Sequence, residues 1–371
     1  MVLLCDGQLI RPTYKVERLL GRGAFAEVYR VEHRYLGRQA MKVFRQVGMS
    51  GEQVHDALGE AMLLSGMGHP NIIRVFEANT VETDNGVYAY FTMEYVAGGT
   101  LHDFWSSYGD AFVPIPTAVD VMRQISRGLA VAHRKSPPIV HRDITPQNIL
   151  VGYDGDGLRV RISDFGLAKK VSALTLLASS QGTIAFMAPE TLLHPHLASV
   201  PGDVWALGAV FYLLLTDRLP YPMRSAGAPI TAAWNTGTLV LPSELRYAVD
   251  GTLDAIVARA LSYNPAKRYP SAAEMLADLD AWQPGSPAPP RPREKEPGPA
   301  GEIAAGKNVL GRSSPADEAA ALGMARQAVA LATAGQCDKA ADLMEEAFNK
   351  WPGLRDQYVS RIRLWRKGVT M

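Results

Sequence analysis

Two early segments of the chain hold residue types suited to a phosphate-bearing ligand. Gly21-Arg22-Gly23-Ala24-Phe25-Ala26-Glu27-Val28 falls between two strand-like runs. Glycine lets backbone N–H groups come close to a phosphate, although a glycine pair of this kind also serves an ordinary hairpin. A strand-to-strand position argues against a dinucleotide-binding turn, which would lead into a helix. On the next run, Lys42 stands among Ala40, Met41, Val43 and Phe44. A lysine facing inward needs a charged partner, and Glu60 on the following helix is the candidate. The alternative is a lysine on the solvent face of an alternating strand.

A longer series is more specific. His141-Arg142-Asp143-Ile144-Thr145-Pro146-Gln147-Asn148-Ile149-Leu150 is followed by Asp164-Phe165-Gly166 and Ala188-Pro189-Glu190. Asp203-Val204-Trp205-Ala206-Leu207-Gly208 and Arg268 then complete the order. Any one piece could be a turn. The whole series, in this order and at this spacing, is not explained by turns.

The elements that must position these residues change character along the chain. Tyr14–Leu20, Ala26–His33, Gln39–Phe44, Ile73–Ala78 and Val87–Glu94 read as strands. A helix over Glu52–Met67 interrupts them and stops at His69-Pro70-Asn71. Beyond residue 100 the spacing predicts helices over Thr117–Lys135, Val200–Thr216, Thr252–Tyr263 and Ser271–Trp282. A β-rich front and a helical back predict two lobes with a cleft between them.

With these motifs in place, the sequence resembles the eukaryotic-type (Hanks-type) serine/threonine protein kinases over about residues 14–283. The resemblance implies an α+β, bilobal kinase fold with ATP in the cleft, a β-rich N-lobe over about 14–96 and a helical C-lobe over about 97–283. By position, Leu20, Gly21, Gly23, Val28, Ala40 and Leu150 would enclose the nucleotide. Lys42 would bind the α- and β-phosphates, held by Glu60. Met93 would back the adenine pocket, and Glu94 to Val96 would supply backbone hydrogen bonds. Asp143 would take the substrate hydroxyl proton, and Asn148 and Asp164 would hold Mg2+, with Mn2+ as a substitute. Hard oxygen ligands suit that ion. Glu190 and Arg268 would form a structural ion pair.

Two positions depart from the family pattern. Ala26 stands where a third glycine is usual. Thr145 stands where serine/threonine kinases carry a lysine two residues after the catalytic aspartate, and Gln147 is not basic either. Gly182-Thr183 ahead of Ala188 favours serine/threonine specificity, and a nucleotide-binding pseudokinase scaffold is the alternative. Ser172, Thr175, Ser179 and Ser180 are the candidate autophosphorylation sites, with Arg142 placed to meet a phosphate on that segment.

The rest of the chain sets limits. Its 371 residues carry 38 Lys and Arg against 37 Asp and Glu, so a whole-chain polyanion or nucleic-acid binder is not expected. Cys5 and Cys337 are too few and too far apart for a disulfide framework or zinc set, which fits a reducing, cytoplasmic setting. Met1–Leu4 is too short for a signal peptide core, and Val204–Leu215 is too short to span a membrane. Eight prolines between Pro284 and Pro315 read as a linker separating residues 1–283 from a helical segment over 316–371. Met324, Ala328, Leu331, Gly335, Ala340, Met344, Ala347 and Pro352 fit one tetratricopeptide-like hairpin, or a generic helical pair. A third helix carries Leu354, Tyr358, Ile362, Trp365 and Val369 on one stripe and a basic face opposite. That face is either a solvated cap or a site for an anionic partner. One repeat is too short for a solenoid, so the segment is expected to dock on the kinase, self-associate or bind a partner protein.

Overall fold

The computed structural model describes residues 2–23, 26–45, 58–59, 61–83, 86–109, 111–165, 184–194, 198–221, 239–284 and 315–370. They fall into two compact units. One comprises Met1–Val96 with the stretch that begins at Ser163, and the other comprises Ala97–Ile162 with the remainder.

The first unit is built on a six-stranded antiparallel sheet. Its strands are β1 (Leu9–Ile10), β2 (Tyr14–Arg22), β3 (Ala26–His33), β4 (Gly37–Phe44), β5 (Val75–Thr83) and β6 (Gly86–Glu94). They lie in the order β1-β2-β3-β4-β6-β5. The fourth expected strand is displaced, running over Val75–Thr83 rather than from Ile73 to Ala78. Its ladder to β6 continues to Thr83 opposite Gly86, so cross-strand pairing outweighs the polar composition of Asn79–Thr83. Of the helix expected over 52–67, residues 58–59 and 61–65 are helical.

Register decides which side chains share a face. Tyr29 pairs with Met41, and Met41 with Thr92. Tyr29 and Met41 join Tyr14, Val16, Val31, Val43, Tyr88 and Tyr90 in a core on one side of the sheet. The alternate positions lie on the other face, where Val28 pairs with Lys42, Lys42 with Phe91 and Ala40 with Met93. A bulge between Leu19 and Gly21 removes Leu20 from the ladder and sets Gly21 opposite Val28.

The second unit is mainly helical. It contains α1 (Leu101–Ser106), α2 (Ile115–His133), a β7–β8 hairpin (Ile149–Asp154 and Gly157–Ile162), α3 (Pro189–Leu193) and α4 (Val200–Thr216). These are followed by α5 (Gly251–Ala260), α6 (Ala272–Ala281), α7 (Pro315–Thr333), α8 (Cys337–Lys350) and α9 (Arg355–Trp365). Every residue of α4 from Asp203 to Thr216 is buried, which accounts for its apolar run. Gly208 lets α4 approach α5 closely, because a Cβ there would lie 2.8 Å from Ala260 Cβ. Among the described residues, no helix is long and apolar enough to cross a membrane.

Arg268 ties three segments of this unit together. Its two terminal nitrogens donate to the Glu190 carboxylate at 2.6 and 2.8 Å. It also bonds the carbonyls of Pro201, Ser262 and Tyr263, and its guanidinium lies 4.9 Å from the Trp205 ring centre.

Helices α7–α9 have an alanine-rich core of their own, in which Ala321, Ala325, Ala328, Ala340, Ala341 and Ala347 are buried with Met344 and Phe348. Small side chains let the helix pair pack closely. Glu345 is buried at the edge of this core, beside Arg366, Asp342 and the backbone of Tyr153. Burial pushes the Glu345 carboxyl up to about 7, against the lowering pull of Arg366 and with a further rise from Asp342.

Two stability measurements follow from these contacts. Arg268→Ala leaves the Glu190 carboxylate without its bidentate partner, and we expect a loss of about 3 kcal/mol in urea unfolding. Between about pH 4.5 and 7 the folded Glu345 keeps a proton that the unfolded chain has released. Its contribution to stability is therefore full below that window and is lost as pH rises through it. Arg366, Asp342, Tyr153 and Asp338 are the titratable groups around it. The unfolding midpoint of Glu345→Gln should decline less between pH 5 and 8 than that of the unmutated chain.

Candidate active site

In the first unit, the β4 register aims Lys42 onto the face that also carries Val28, Ala40, Phe91 and Met93. The Lys42 ammonium pairs with the Asp164 carboxylate. It lies 5.6 Å from the Phe91 ring centre and 5.8 Å from that of Phe44. The lysine side chain is 14% exposed and the aspartate 40%, so the pair is open to solvent at the carboxylate end. Lys42 lies on the sheet face opposite the core that holds Met41 and Val43, as an alternating strand has it, and its observed partner there is Asp164. Glu60, the expected partner, lies outside the described residues.

Asp164 has a φ of 54°, a left-handed conformation uncommon for a residue with a side chain. Phe165, next to it, is buried. Strain of this kind persists only where surrounding contacts hold the backbone in place.

Around the glycine turn, the Gly23 amide donates to the Ala26 carbonyl at 2.8 Å. Ala26 is buried and pairs with Phe44, so the methyl group that replaces a third glycine is accommodated within the strand. Glu94 ends β6, and its amide donates to the Arg74 carbonyl at 2.9 Å. Of its two backbone groups, the amide is thus already engaged. Met93 is buried, and Val96 is the last residue of this part of the unit.

In the second unit, the loop from His141 to Asn148 is built around a buried carboxylate from α4. Asp203 Oδ2 accepts the His141 amide at 2.7 Å, and Oδ1 accepts the Arg142 amide at 2.9 Å. Arg142 has a φ of 71°. His133, at the end of α2, sits 3.1 Å from Asp203 through Nε2. His133 Nδ1 accepts the Ala272 amide, so Nε2 carries the ring proton and donates a hydrogen bond to the aspartate. His133 is a supporting residue that the sequence reading missed. A histidine in the last turn of an amphipathic helix carries no distinguishing signal.

Held in this way, the loop presents Asp143 and Asn148 together. Asn148 Nδ2 donates to Asp143 Oδ2 and to the Asp143 carbonyl, both at 2.8 Å. The Asp143 amide donates to His141 Nδ1 at 3.3 Å. Thr145 is buried at the head of the 3-10 turn Pro146–Asn148 and lines a small pocket with Arg142, Asp143 and Gly202. Leu150 follows on β7, opposite Thr100. Gly166, Ser172, Thr175, Ser179, Ser180, Gly182 and Thr183 lie outside the described residues.

The first unit offers a lysine for an anion and a carboxylate for a hard cation, and the second offers a fixed carboxylate for a proton. Among the described residues, no group of three or more His, Cys, Asp or Glu side chains forms a metal cage. The Asp164 carboxylate in the first unit and the Asn148 amide oxygen in the second are each the hard oxygen type that magnesium takes.

Comparison with known proteins agrees with this chemistry. The chain is 32% identical over 279 residues to the serine/threonine-protein kinase PrkC of Bacillus subtilis, which covers 74% of the chain and 41% of PrkC. It is 30% identical over 281 residues to the serine/threonine-protein kinase PknB of Mycobacterium leprae, covering 74% and 43%. For PknB of Mycolicibacterium smegmatis the identity is 31% over 280 residues, covering 73% and 43%. The chain thus spans about two fifths of the length of these curated relatives. The protein kinase domain pattern matches residues 14–279, and the chain belongs to the protein kinase family.

Proposed function

We propose that the chain is a serine/threonine protein kinase that transfers the γ-phosphoryl group of ATP to hydroxyls of protein substrates. The observation that carries this reading is the bonded pair Asp143–Asn148 on a loop held by Asp203. The names of the relatives, all serine/threonine kinases, support the substrate class.

In this reading the hydroxyl oxygen attacks the γ-phosphorus while the bond to the ADP oxygen breaks. Asp143 accepts the hydroxyl proton, and Asn148 fixes the rotamer of that carboxylate. Lys42 holds the α- and β-phosphates, exchanging part of its contact with Asp164 for them. Asp164 and Asn148 would hold the magnesium ion, or manganese in its place, which offsets negative charge on the phosphates. Gly21, Gly23, Val28, Ala40 and Met93 of the first unit would contact the nucleotide, as would Leu150 of the second, with backbone groups of Glu94 to Val96 reading the adenine. Phosphoryl transfer asks mainly for positioning and electrostatic stabilisation, and the groups described supply both.

Arg142 is exposed beside the catalytic aspartate and is suited to pair with a phosphate on the segment that follows Asp164. Autophosphorylation there is part of the reading. We assign the protein to the cytoplasm, where ATP is supplied and where Cys5 and Cys337 remain free thiols. Helices α7–α9 form a tetratricopeptide-like pair with a third helix, a type of element that serves protein partners or self-association.

Two variants test the assignment. Asp143→Asn should abolish magnesium-dependent phosphate transfer to itself and to generic substrates, with ATP affinity within about threefold of the unmutated chain. If the unmutated protein binds ATP but transfers no phosphate, the chain is a scaffold instead. Thr145→Lys addresses the missing cation. Because Thr145 is buried and lines the pocket beside Asp143, the site is packed around a short side chain. We expect kcat to change by less than about tenfold, or about 1.4 kcal/mol in the barrier. A gain of several orders of magnitude would show that the natural threonine cripples the enzyme.

A further inference from the structure

Helices α8 and α9 do more than pack on each other. Arg366, just past α9, donates from Nε to the Tyr153 carbonyl of β7 at 3.0 Å. Its Nη2 donates to Asp342 at 2.8 Å and to Glu345 at 2.7 Å. The Tyr153 backbone also faces Glu345 and lowers its carboxyl pKa. The C-terminal segment thus meets β7 at the backbone of one residue. The Tyr153 and Phe348 rings meet edge to face at 6.2 Å.

The same carboxylate reaches a second segment. A Cβ built at Gly98 would lie 3.2 Å from Glu345 Oε2 and would overlap the Val151 carbonyl oxygen. Glycine at 98 is what lets this backbone slide between β7 and α8. The Val151 amide donates to the Gly99 carbonyl at 2.9 Å, which ties residues 98–99 to β7. A third contact anchors the other end. Arg355 donates to Ser107 Oγ at 2.9 Å and lies 4.8 Å from the Phe104 ring centre, 5.2 Å from Tyr108 and 6.0 Å from Phe348.

These contacts bear on two stretches that matter to the nucleotide. Leu150 lies on β7, one residue before Val151. Residues 98–99 come directly after the adenine-reading stretch Glu94–Val96. Alternation along a strand puts Tyr153 on the face opposite Leu150. The C-terminal helices thus press on the back of the strand that presents Leu150.

Resting on the kinase reading above, we propose that Glu345 and Arg366 are positioning residues for nucleotide binding, bracing β7 and Gly98–Gly99 from behind. Their contribution falls on ATP affinity rather than on the chemical step, because neither approaches Asp143 or Asn148 along the chain contacts described. Ordering these segments before the nucleotide arrives removes a cost that would otherwise oppose binding.

The test uses the full chain, a non-hydrolysable ATP analogue and hydrogen exchange over residues 98–99 and 149–154. In Arg366→Ala, the Kd for the analogue and the KM for ATP should rise about tenfold, with kcat at saturating ATP within twofold. Exchange at β7 should quicken. Arg366→Lys, which keeps the charge and loses the planar fork, should fall between the two. Glu345→Gln keeps the side-chain volume and carries the same expectation, at about threefold, if the alanine variant does not fold. An unchanged Kd in the folded variants overturns the proposal, whether or not exchange quickens. An equal loss in kcat with Kd unmoved overturns it as well. Failure of the kinase reading looks different: there the unmutated chain itself binds analogue but transfers no phosphate, or binds none and takes both readings down.

Discussion

A buried aspartate holds the loop that carries Asp143 and Asn148 in shape. Asp203 is almost wholly removed from water, and a carboxylate in that setting must have its oxygens satisfied. It accepts two consecutive backbone amides, from His141 and Arg142, and a hydrogen bond from His133. The demand runs both ways. The helix that carries Asp203 is buried from that residue onward, so the carboxylate is held away from solvent, and the loop comes to it. The left-handed backbone at Arg142 lets both amides point at one side chain. Asp143 and Asn148 are then presented as a bonded pair.

The sheet unit meets a comparable demand through register. Lys42 is a charged residue on a strand whose neighbours face a core, and its position is settled by pairing with Val28 and Phe91. Two aromatic rings flank its ammonium, and Asp164 supplies the opposite charge. The residues expected to enclose a nucleotide from this unit, Val28, Ala40 and Met93 among them, share that face because strand parity leaves them no other.

Much of this was legible in the sequence, and the reasons differ by residue. Asp143, Asn148, Asp164 and Arg268 sit in an ordered series of motifs, so type and spacing pointed to them together. The buried helix over Val200–Thr216 was legible from its apolar run. His133 was not, because its role comes from a contact with Asp203 far along the chain. The β7–β8 hairpin was missed for a similar reason: Tyr153–Leu158 is rich in Asp and Gly and reads as a loop. The pairing of Lys42 with Asp164 and the contacts of Arg366 with Tyr153 are tertiary and leave no local periodicity. Composition drew a division near residue 284, whereas the helices beyond it pack on the hairpin and on α1.

The bulge at Leu20 has a bearing on how this sequence can vary. Along a regular strand, residues two apart face the same way, yet Leu19 pairs with the core-facing Tyr29 while Gly21 pairs with Val28 on the opposite face. The extra residue inverts the strand's parity there, reversing an earlier inversion between Val16 and Arg18. Length at this point is therefore an odd-or-even quantity. Losing or gaining a single residue would exchange inside for outside for everything on one side of the change, whereas a pair of residues would restore the alternation. Insertions that lineages accumulate in β2 should accordingly come in twos, and drift by ones should be confined to the turns at its ends.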